Sequence, residues 1–377
     1  MNRKAIFLLA AVVFIAAPRA FGQAYSGSVL YPLMVPGGFS SASVSGVAPA
    51  QVVGTGDVSG TNDIHALLWT SAGAVDLNPS GMTESEGQGT DGARQVGYAS
   101  GSATDNDEHA MLWTGTAGSA VDLNPLRISE SVAYGVSGNQ EVGSDFTAGG
   151  NDSNALLWTG TADSAIDLNP TNLTGITVSE ALATNGSQQV GDGYGSGTGN
   201  NRHALLWTDT AASAVDLNPS GITESEADGT SGTQQVGWGL TAAIQYHAML
   251  WTGTAISAVD LNPMGSTESF AYGTNGTYQV GDEYDSSNGP VHALLWAGTA
   301  ESVVDLQPLL PSTGTWSDSQ ALSIDSSDNV YGTADGTFDG VTGTFAVEWS
   351  AVPEPATGSL LLLAGSGMLL RRRNRLI

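Results

Sequence analysis

The stretch HALLWTDTAASAVDLNP, residues 203–219, recurs along the chain with small changes. Each of the five histidines of the protein begins a copy of it, and in a further copy Asn154 takes the place of the histidine. In HALLW the residues alternate between the two faces of an extended strand, so that Leu205 and Leu206 lie on opposite faces. Both faces are largely apolar, which predicts a strand buried on both sides.

We interpret the recurring first and last residues of this strand as structural positions. Asn cannot replace a catalytic base and is a poor transition-metal ligand, but like imidazole it offers a donor and an acceptor. The histidine is therefore expected to connect the strand to backbone or to the recurring aspartate of VDLNP. The recurring positions are His65, His109, Asn154, His203, His247, His292, Trp69, Trp113, Trp158, Trp207, Trp251 and Trp296.

The repeated unit is about 45 residues long, because successive tryptophans from Trp69 to Trp296 lie 44 to 49 residues apart. A unit begins with a Gly-rich stretch that ends in a Val-Gly pair, such as QQVG at residues 234–237, and continues through a polar loop to the histidine phrase. Two short runs precede the loop and two follow it, which predicts about four strands per unit. Four short strands at this period are typical of a β-propeller blade.

The incomplete units at the two ends of the chain favour a closed ring. A divergent seventh unit, from about Trp316 to Trp349, lacks a closing VDLNP. Residues 28–46 align with the segment that follows a histidine phrase, yet no such phrase precedes them. We therefore predict an all-β, seven-bladed β-propeller whose N-terminal strand completes the last blade and removes the exposed sheet edges. A β-solenoid, which would need polar caps instead, is the alternative.

The charge of the central region limits its partners. Between Gln23 and Ala351 there are 36 acidic residues and 3 basic ones, a net charge of 3 − 36 = −33. Such a surface repels phosphate backbones, so no nucleic-acid partner is expected. Weak calcium binding by acidic loops such as residues 105–108 is an alternative. These loops do not follow a calcium-binding loop pattern, so a solvated acidic surface is the favoured interpretation. With no cysteine, stability must come from packing and strand pairing.

Both ends of the chain resemble targeting segments. Residues 1–22 have basic residues, a short apolar run and a small-residue cleavage pattern, which predicts a signal peptide, with an uncleaved anchor as the alternative. Residues 351–377 contain a Pro-Glu-Pro element, an apolar stretch that can enter a membrane and an arginine cluster that holds its end on the cytoplasmic side, with a plain C-terminal anchor as the alternative to a sorting signal. The repeat domain spans the intervening residues 23–350, so we expect contact with a membrane only through the terminal segments.

The C-terminal segment resembles the PEP-CTERM sorting signal of bacteria that possess an exosortase. This resemblance implies transient membrane retention, processing by an exosortase-type enzyme, and delivery to the cell surface or extracellular matrix. The residues that carry it are Val352, Pro353, Glu354, Pro355, Arg371, Arg372 and Arg373.

The repeats resemble the HAF family of extracellular repeat proteins, which is named for a His-Ala-Phe phrase. This chain has Leu or Met where that family has Phe, and Leu-Asn-Pro where the family commonly has Leu-Gly. The resemblance implies an exported repeat protein with a propeller fold and brings no catalytic residues with it.

The sequence assigns no catalytic, cofactor-binding or metal-binding residue. It lacks a His-Glu-x-x-His helix motif and a Gly-x-Ser-x-Gly elbow, and the units look nearly alike, without clustered His, Arg or Tyr in the variable loops. Enzymes on propellers break their symmetry to build one site, so we expect a binding or structural module for a glycan, such as an extracellular polysaccharide, or another envelope polymer. The alternative is a glycan-active hydrolase or lyase, by fold analogy.

Overall fold

The propeller is made of short strands joined by turns. The structure is a computed structural model that describes residues 24–146, 153–284 and 289–352. Within these ranges no helix is long and apolar enough to cross a membrane. The helical elements described are single 3₁₀ turns: Ala117–Ser119, Ala162–Ser164, Ser196–Thr198, Ala211–Ser213, Ala255–Ser257, Ala300–Ser302 and Gln307–Leu309.

The described strands form seven four-stranded sheets, each of which is one blade. The strand β1 (Ala24–Pro32) comes first in the chain and belongs to the last blade. The remaining strands are β2 (Phe39–Ala48), β3 (Gln51–Val58), β4 (Ile64–Thr70) and β5 (Gly73–Asp76) in blade 1; β6 (Met82–Thr90), β7 (Gln95–Gly101), β8 (His109–Trp113) and β9 (Val121–Asp122) in blade 2; β10 (Glu130–Ser137), β11 (Gln140–Phe146), β12 (Ser153–Trp158) and β13 (Ile166–Asp167) in blade 3; β14 (Val178–Thr184), β15 (Gln189–Tyr194), β16 (His203–Trp207) and β17 (Val215–Asp216) in blade 4; β18 (Ile222–Thr230), β19 (Gln235–Thr241), β20 (Tyr246–Trp251) and β21 (Val259–Asp260) in blade 5; β22 (Glu268–Thr274), β23 (Gln279–Tyr284), β24 (Val291–Trp296) and β25 (Val304–Asp305) in blade 6; and β26 (Thr315–Ile324), β27 (Val330–Phe338) and β28 (Val341–Val352) in blade 7.

The ring closes as the unequal ends of the sequence predict. Blade 7 has the strand order β1-β28-β27-β26, so the N-terminal strand is its fourth member. The amide of Leu33 donates to the carbonyl of Thr344 at 2.9 Å, and the Ser28 hydroxyl donates to the carbonyl of Glu348 at 3.4 Å. The seven-bladed prediction with this closure is confirmed, and the solenoid alternative is wrong.

Each hydrophobic core lies between two neighbouring blades. Ala66 and Leu68 on one face of β4 pack with Met111 and Trp113 of blade 2. Leu67, on the opposite face of β4, packs with residues of blade 7. The third strand of a blade is therefore buried on both sides, as its two apolar faces predict. Burial of tryptophan and leucine on this scale is the main favourable contribution to the stability of the ring.

Side-chain hydrogen bonds near the repeated Val-Gly pairs join neighbouring blades. The Gln95 side chain donates to the Gln51 side chain of the preceding blade at 2.8 Å, and amide pairs recur between later blades. Between blades 2 and 3 an ion pair replaces this amide pair, because Arg94 Nη1 lies 2.8 Å from Glu141 Oε1. The Glu141 side chain is fully buried and also accepts a hydrogen bond from the amide of Gly160.

The repeated Val-Gly pair allows the first two strands of each blade to lie very close together. At Gly237 of blade 5, a Cβ atom would overlap the carbonyl oxygen of Glu226, and the glycine at this place in every other blade meets the corresponding carbonyl. Two residues after that carbonyl, the strand pairing shifts by one residue, a β-bulge that skips Asp228. A bulge bends the strand and redirects the skipped side chain.

The first strands of all seven blades line a central channel of about 440 Å³. At the bulge the side chain varies between the first strands, and the side chains that line the channel are Ser45, Tyr134, Leu182, Asp228, Tyr272 and Leu322. The repeated backbone therefore presents hydroxyl, aromatic, aliphatic and carboxyl groups to the channel, with a carboxyl group from blade 5 alone among these six.

The proposed terminal signals lie mostly outside the described residues. The proposed signal peptide, and Pro353, Glu354, Pro355 and Arg371 to Arg373 of the proposed sorting motif, lie outside the described residues. Val352 is described as the last residue of β28, so the strand extends two residues into the segment that the sequence assigns to the sorting signal.

Candidate functional site at the channel mouth of blades 4 to 6

The repeated histidine forms part of a hydrogen-bonded network between blades. In blade 4, Nδ1 of His203 lies 2.9 Å from Oδ2 of Asp216, and the Asn218 amide donates to Nε2 of His203 at 3.3 Å. Ser225 of blade 5 donates to the side-chain oxygen of Asn218 at 2.7 Å and accepts from the amide of Ala204 at 3.0 Å. Because Nε2 accepts, Nδ1 carries the proton that is donated to the aspartate.

The same histidine–aspartate contact, at 2.8 to 3.0 Å, recurs in each blade that has the histidine: His65–Asp76, His109–Asp122, His203–Asp216, His247–Asp260 and His292–Asp305. In blade 3, the backbone amide of Asn154 donates to Oδ1 of Asp145 on the adjacent strand at 2.9 Å. In blade 7 the residue at this place is Phe345, which packs edge-on against Trp316 with ring centroids 5.6 Å apart.

These positions are separate from one another. Each histidine lies on the third strand of its own blade, whereas the channel is lined by first strands. Across the described ranges, no group of three or more His, Asp or Glu side chains is arranged to hold a metal ion. The recurring tryptophans are fully or almost fully buried: Trp69, Trp113, Trp158, Trp207, Trp251 and Trp296.

The repeats differ around Arg202, at the junction of blades 4 and 5. Nε of Arg202 lies 3.2 Å from Oδ2 of Asp192, and its Nη1 forms an ion pair with Glu226. Glu180 and Asp228 also interact electrostatically with this group. Four carboxyl groups from β14, β15 and β18 therefore surround a single cation whose side chain is 41% exposed.

Two carboxylate oxygens in this cluster lack a hydrogen-bond donor among the described residues. They are Oδ1 of Asp192 and Oδ2 of Asp228, and both atoms are buried. The Asp192 side chain is only 2% exposed, whereas Asp228 is partly exposed and lines the channel. A buried carboxylate oxygen without a hydrogen-bond donor destabilises the folded state. Two such oxygens in one cluster are therefore unusual for a cluster with a purely structural role.

Aromatic side chains continue the cluster across blades 5 and 6. The ring centroid of Trp238 lies 5.1 Å from that of Tyr246, which stacks on Phe270 at 5.6 Å. Tyr272 and Tyr284 lie 6.4 and 6.2 Å from Phe270. All five rings are partly exposed, and Trp238 Nε1 donates to Glu226 at 3.1 Å, so the aromatic surface and the acidic cluster are contiguous.

Burial changes the proton affinity of the acidic groups. It raises the pKa of Asp192 well above its usual range despite the opposing charge of Arg202. Burial and the negative charge of the adjacent Glu226 also raise the pKa of Asp228 well above its usual range. Burial also raises the pKa of Asp282, on β23, to about 6, although that carboxyl accepts hydrogen bonds from Gln320 and Tyr272. Perturbed carboxyl groups in a cleft are typical of functional sites.

The site was not predicted from the sequence, where clustered His, Arg or Tyr was sought in the variable loops. Arg202, Trp238 and Tyr246 come from three different segments, and each lies on a strand or directly before one. Trp238 takes a position that Tyr98 occupies in blade 2, and Arg202 directly precedes the repeated histidine as Tyr246 does in the next unit. A comparison of single positions between the repeats would have found them.

Comparisons with known proteins support the fold. The β-propeller domain of the Trilobed protease from Pyrococcus furiosus, described as having an open velcro topology, matches with a TM-score of 0.52 and 9% identity, over 84% of this chain and 98% of that chain. This likeness shows the propeller fold alone. TolB from Acinetobacter baumannii has a TM-score of 0.38 at 11% identity, over 80% of each chain. A puromycin-hydrolyzing peptidase from Mycobacterium tuberculosis has a TM-score of 0.36 at 12% identity, over 88% of this chain and 63% of that chain. No protein-family model and no curated protein matches the sequence.

Proposed function

We propose that the protein is an exported propeller of the cell surface or extracellular matrix that binds a glycan at the channel mouth of blades 4 to 6. The observation that carries this proposal is the contiguous surface made by Trp238, Tyr246 and Phe270 beside the carboxyl groups around Arg202. Sugar rings stack on exposed aromatic faces, and sugar hydroxyl groups donate hydrogen bonds to carboxylates.

The channel provides a concave site of suitable size next to this surface. Its volume of about 440 Å³ falls within the range of small-molecule sites, which is roughly 300 to 1,000 Å³. Asp228 and Tyr272 line it and also belong to the acidic and aromatic groups. One sugar residue can enter the channel while the neighbouring residues of the polymer lie across the aromatic rings.

Binding should depend on Trp238 and not on the matching position of another blade. Trp238→Ala is expected to weaken binding of a recognised oligosaccharide about tenfold, the effect of about 1.4 kcal/mol of lost stacking. The measurement is a glycan array followed by calorimetry on the purified full-length protein. Tyr98→Ala is the matched control, because Tyr98 pairs with Glu86 as Trp238 pairs with Glu226. Equal losses in both variants, or no binding to any glycan, would contradict the proposal.

The proposed location at the cell surface or in the extracellular matrix rests on the terminal segments and is tested separately. The surface form is expected to lack residues 1–22 and the arginine cluster from Arg371 to Arg373, after processing by an exosortase-type enzyme. Mass spectrometry of cell-surface material measures both ends. Recovery of the intact cluster in the mature protein would show that the segment acts as a plain anchor.

A glycan-active hydrolase or lyase is the second candidate, favoured by one contact. The hydroxyl of Tyr272 lies 3.3 Å from both oxygens of Asp282, whose pKa of about 6 suits proton transfer near neutral pH. If the site is catalytic, a bound oligosaccharide is cleaved over time and Asp282→Asn abolishes cleavage while binding persists. An oligosaccharide that remains intact in chromatography supports the binding module.

A further inference from the structure

We propose that the glycan carries free amino groups, and that Asp228 receives the protonated amine of an amino sugar in the channel mouth. This inference rests on the proposed glycan-binding function and specifies its ligand. The pocket would then be selective for a cationic polymer over its neutral, N-acetylated counterpart and over acidic polysaccharides.

The charge of the site points to a cationic ligand. Glu180, Asp192, Glu226 and Asp228 surround Arg202, which is already engaged by Asp192 and Glu226. Any uronic or sulfated polymer would therefore meet a net repulsion. Burial raises the pKa of Asp192 and of Asp228, and an ammonium group entering from the channel favours the ionised form of both carboxyls and is attracted by it. The setting is partly desolvated, so this attraction is strong.

The hydrogen-bonding pattern selects an ammonium group. Asp228 Oδ2 lacks a donor among the described residues, and so does the adjacent Asp192 Oδ1, whose side chain is almost fully buried. Ammonium supplies three donors and no acceptor, which matches a group of carboxylates better than a hydroxyl that is both donor and acceptor. Hydrogen bonds to charged partners are also stronger than those to neutral ones.

The aromatic side chains select a sugar amine over a lysine side chain. Tyr272 lies beside Asp228 at the next bulge of the channel, where its ring can contact the cation. Trp238, Tyr246 and Phe270 extend away from this point as a partly exposed run across two blades. Such a run fits the consecutive rings of a polymer, whereas a lysine side chain would use only the ring nearest to the carboxylate.

The experiment compares a glucosamine hexamer with its fully N-acetylated counterpart. The two probes differ in charge and not in length, and calorimetry on the purified full-length protein is expected to give at least about tenfold tighter binding of the free amine, equivalent to one strong charge-assisted hydrogen bond. Asp228→Asn should remove this preference. Asp339→Asn, the same charge change in an exposed turn of blade 7, should retain it.

The outcomes separate this inference from the proposed function. If the N-acetylated hexamer binds as tightly as the free amine and Trp238→Ala weakens both, the site binds neutral glycans and the cation inference is wrong. If a lysine hexamer binds more tightly than the glucosamine hexamer, the ligand class is wrong. If Asp228→Asn does not fold, competition on the wild type decides, because methylammonium should displace the glucosamine hexamer and leave an N-acetylated one unaffected.

Discussion

Two rings of residues in this propeller obey opposite rules. The outer ring consists of the histidine and tryptophan positions of the third strands, where the same contacts recur from blade to blade, as His203–Asp216 and His247–Asp260 illustrate. The inner ring consists of the bulged residues of the first strands, where Leu182, Asp228 and Tyr272 follow one another with unrelated chemistry.

This difference distinguishes the residues that stabilise the ring from the residues that the ring exposes to the channel. Outer-ring side chains are buried between blades, so each copy meets the same neighbours and must keep its shape. Inner-ring side chains face a channel shared by all blades and have no repeated partner to match. Substitutions in the outer ring should therefore change the free energy of unfolding, whereas those at the inner ring of blades 4 to 6 should change binding of the proposed glycan.

Removal of β1 should produce the largest change. Deleting residues 25–34 leaves β28 without a partner on one side and opens the ring, which should lower the free energy of unfolding by more than about 5 kcal/mol. Thermal melts and light scattering measure the loss and the self-association of the exposed edge. A truncated protein that stays monomeric with an unchanged melting temperature would show that the ring does not depend on this strand.

The ion pair between blades 2 and 3 provides a second, smaller test of the contacts that join the blades. Arg94→Gln leaves the fully buried carboxylate of Glu141 unpaired and should cost about 3 to 4 kcal/mol. Arg94→Gln with Glu141→Gln restores the amide pair seen between other blades, so most of the stability should return. Chemical denaturation of the single and double variants gives the coupling energy. Additive losses would mean that the two side chains do not act as a pair.

The buried carboxyl of Asp282 should make stability depend on pH. Because its pKa is near 3.8 when unfolded and about 6 when folded, the folded state binds the proton more tightly. The contribution of Asp282 to stability should therefore be greatest below about pH 4 and fall by about 2 to 3 kcal/mol as pH rises to about 6. Asp282→Asn should reduce the slope of the melting temperature against pH. Asp339→Asn, in an exposed turn, should leave the slope unchanged, and equal slopes in all three proteins would refute the assignment.

The histidine network should give the smallest effect. His203→Leu leaves the Asp216 carboxylate and the Asn218 amide without their partner and should cost about 1 to 2 kcal/mol. His203→Asn should cost less, since asparagine keeps a side-chain donor and acceptor for Asp216 and Asn218. Neither variant should alter glycan affinity once folded. Thermal melts compare the two, and a loss of binding in His203→Asn would assign the histidine a functional role.

The fold was predictable and the candidate site was not, for one physical reason. Repetition makes the contribution of a residue to packing visible, since Trp207 and its counterparts recur wherever the same core recurs. The site depends on departures from the repeat, such as Arg202 and Trp238, which look like ordinary variation until the ring places them together. The bulge itself has a weak signal in the sequence, because Gly237 marks the close approach of two strands but does not reveal that Asp228 turns into the channel.

The closing strand also determines the order in which the molecule can be assembled. The strand β1 is synthesised before any complete blade, yet its partner β28 is the last of the described strands, and the Ser28–Glu348 contact spans 320 residues. During synthesis, six blades can form before the partner of β1 is available, and the entropic cost of joining such distant segments falls on a single late step. A circular permutant that carries β1 directly after β28 would turn that step into the formation of a local hairpin, so ring closure would no longer wait for the two ends of the chain to meet.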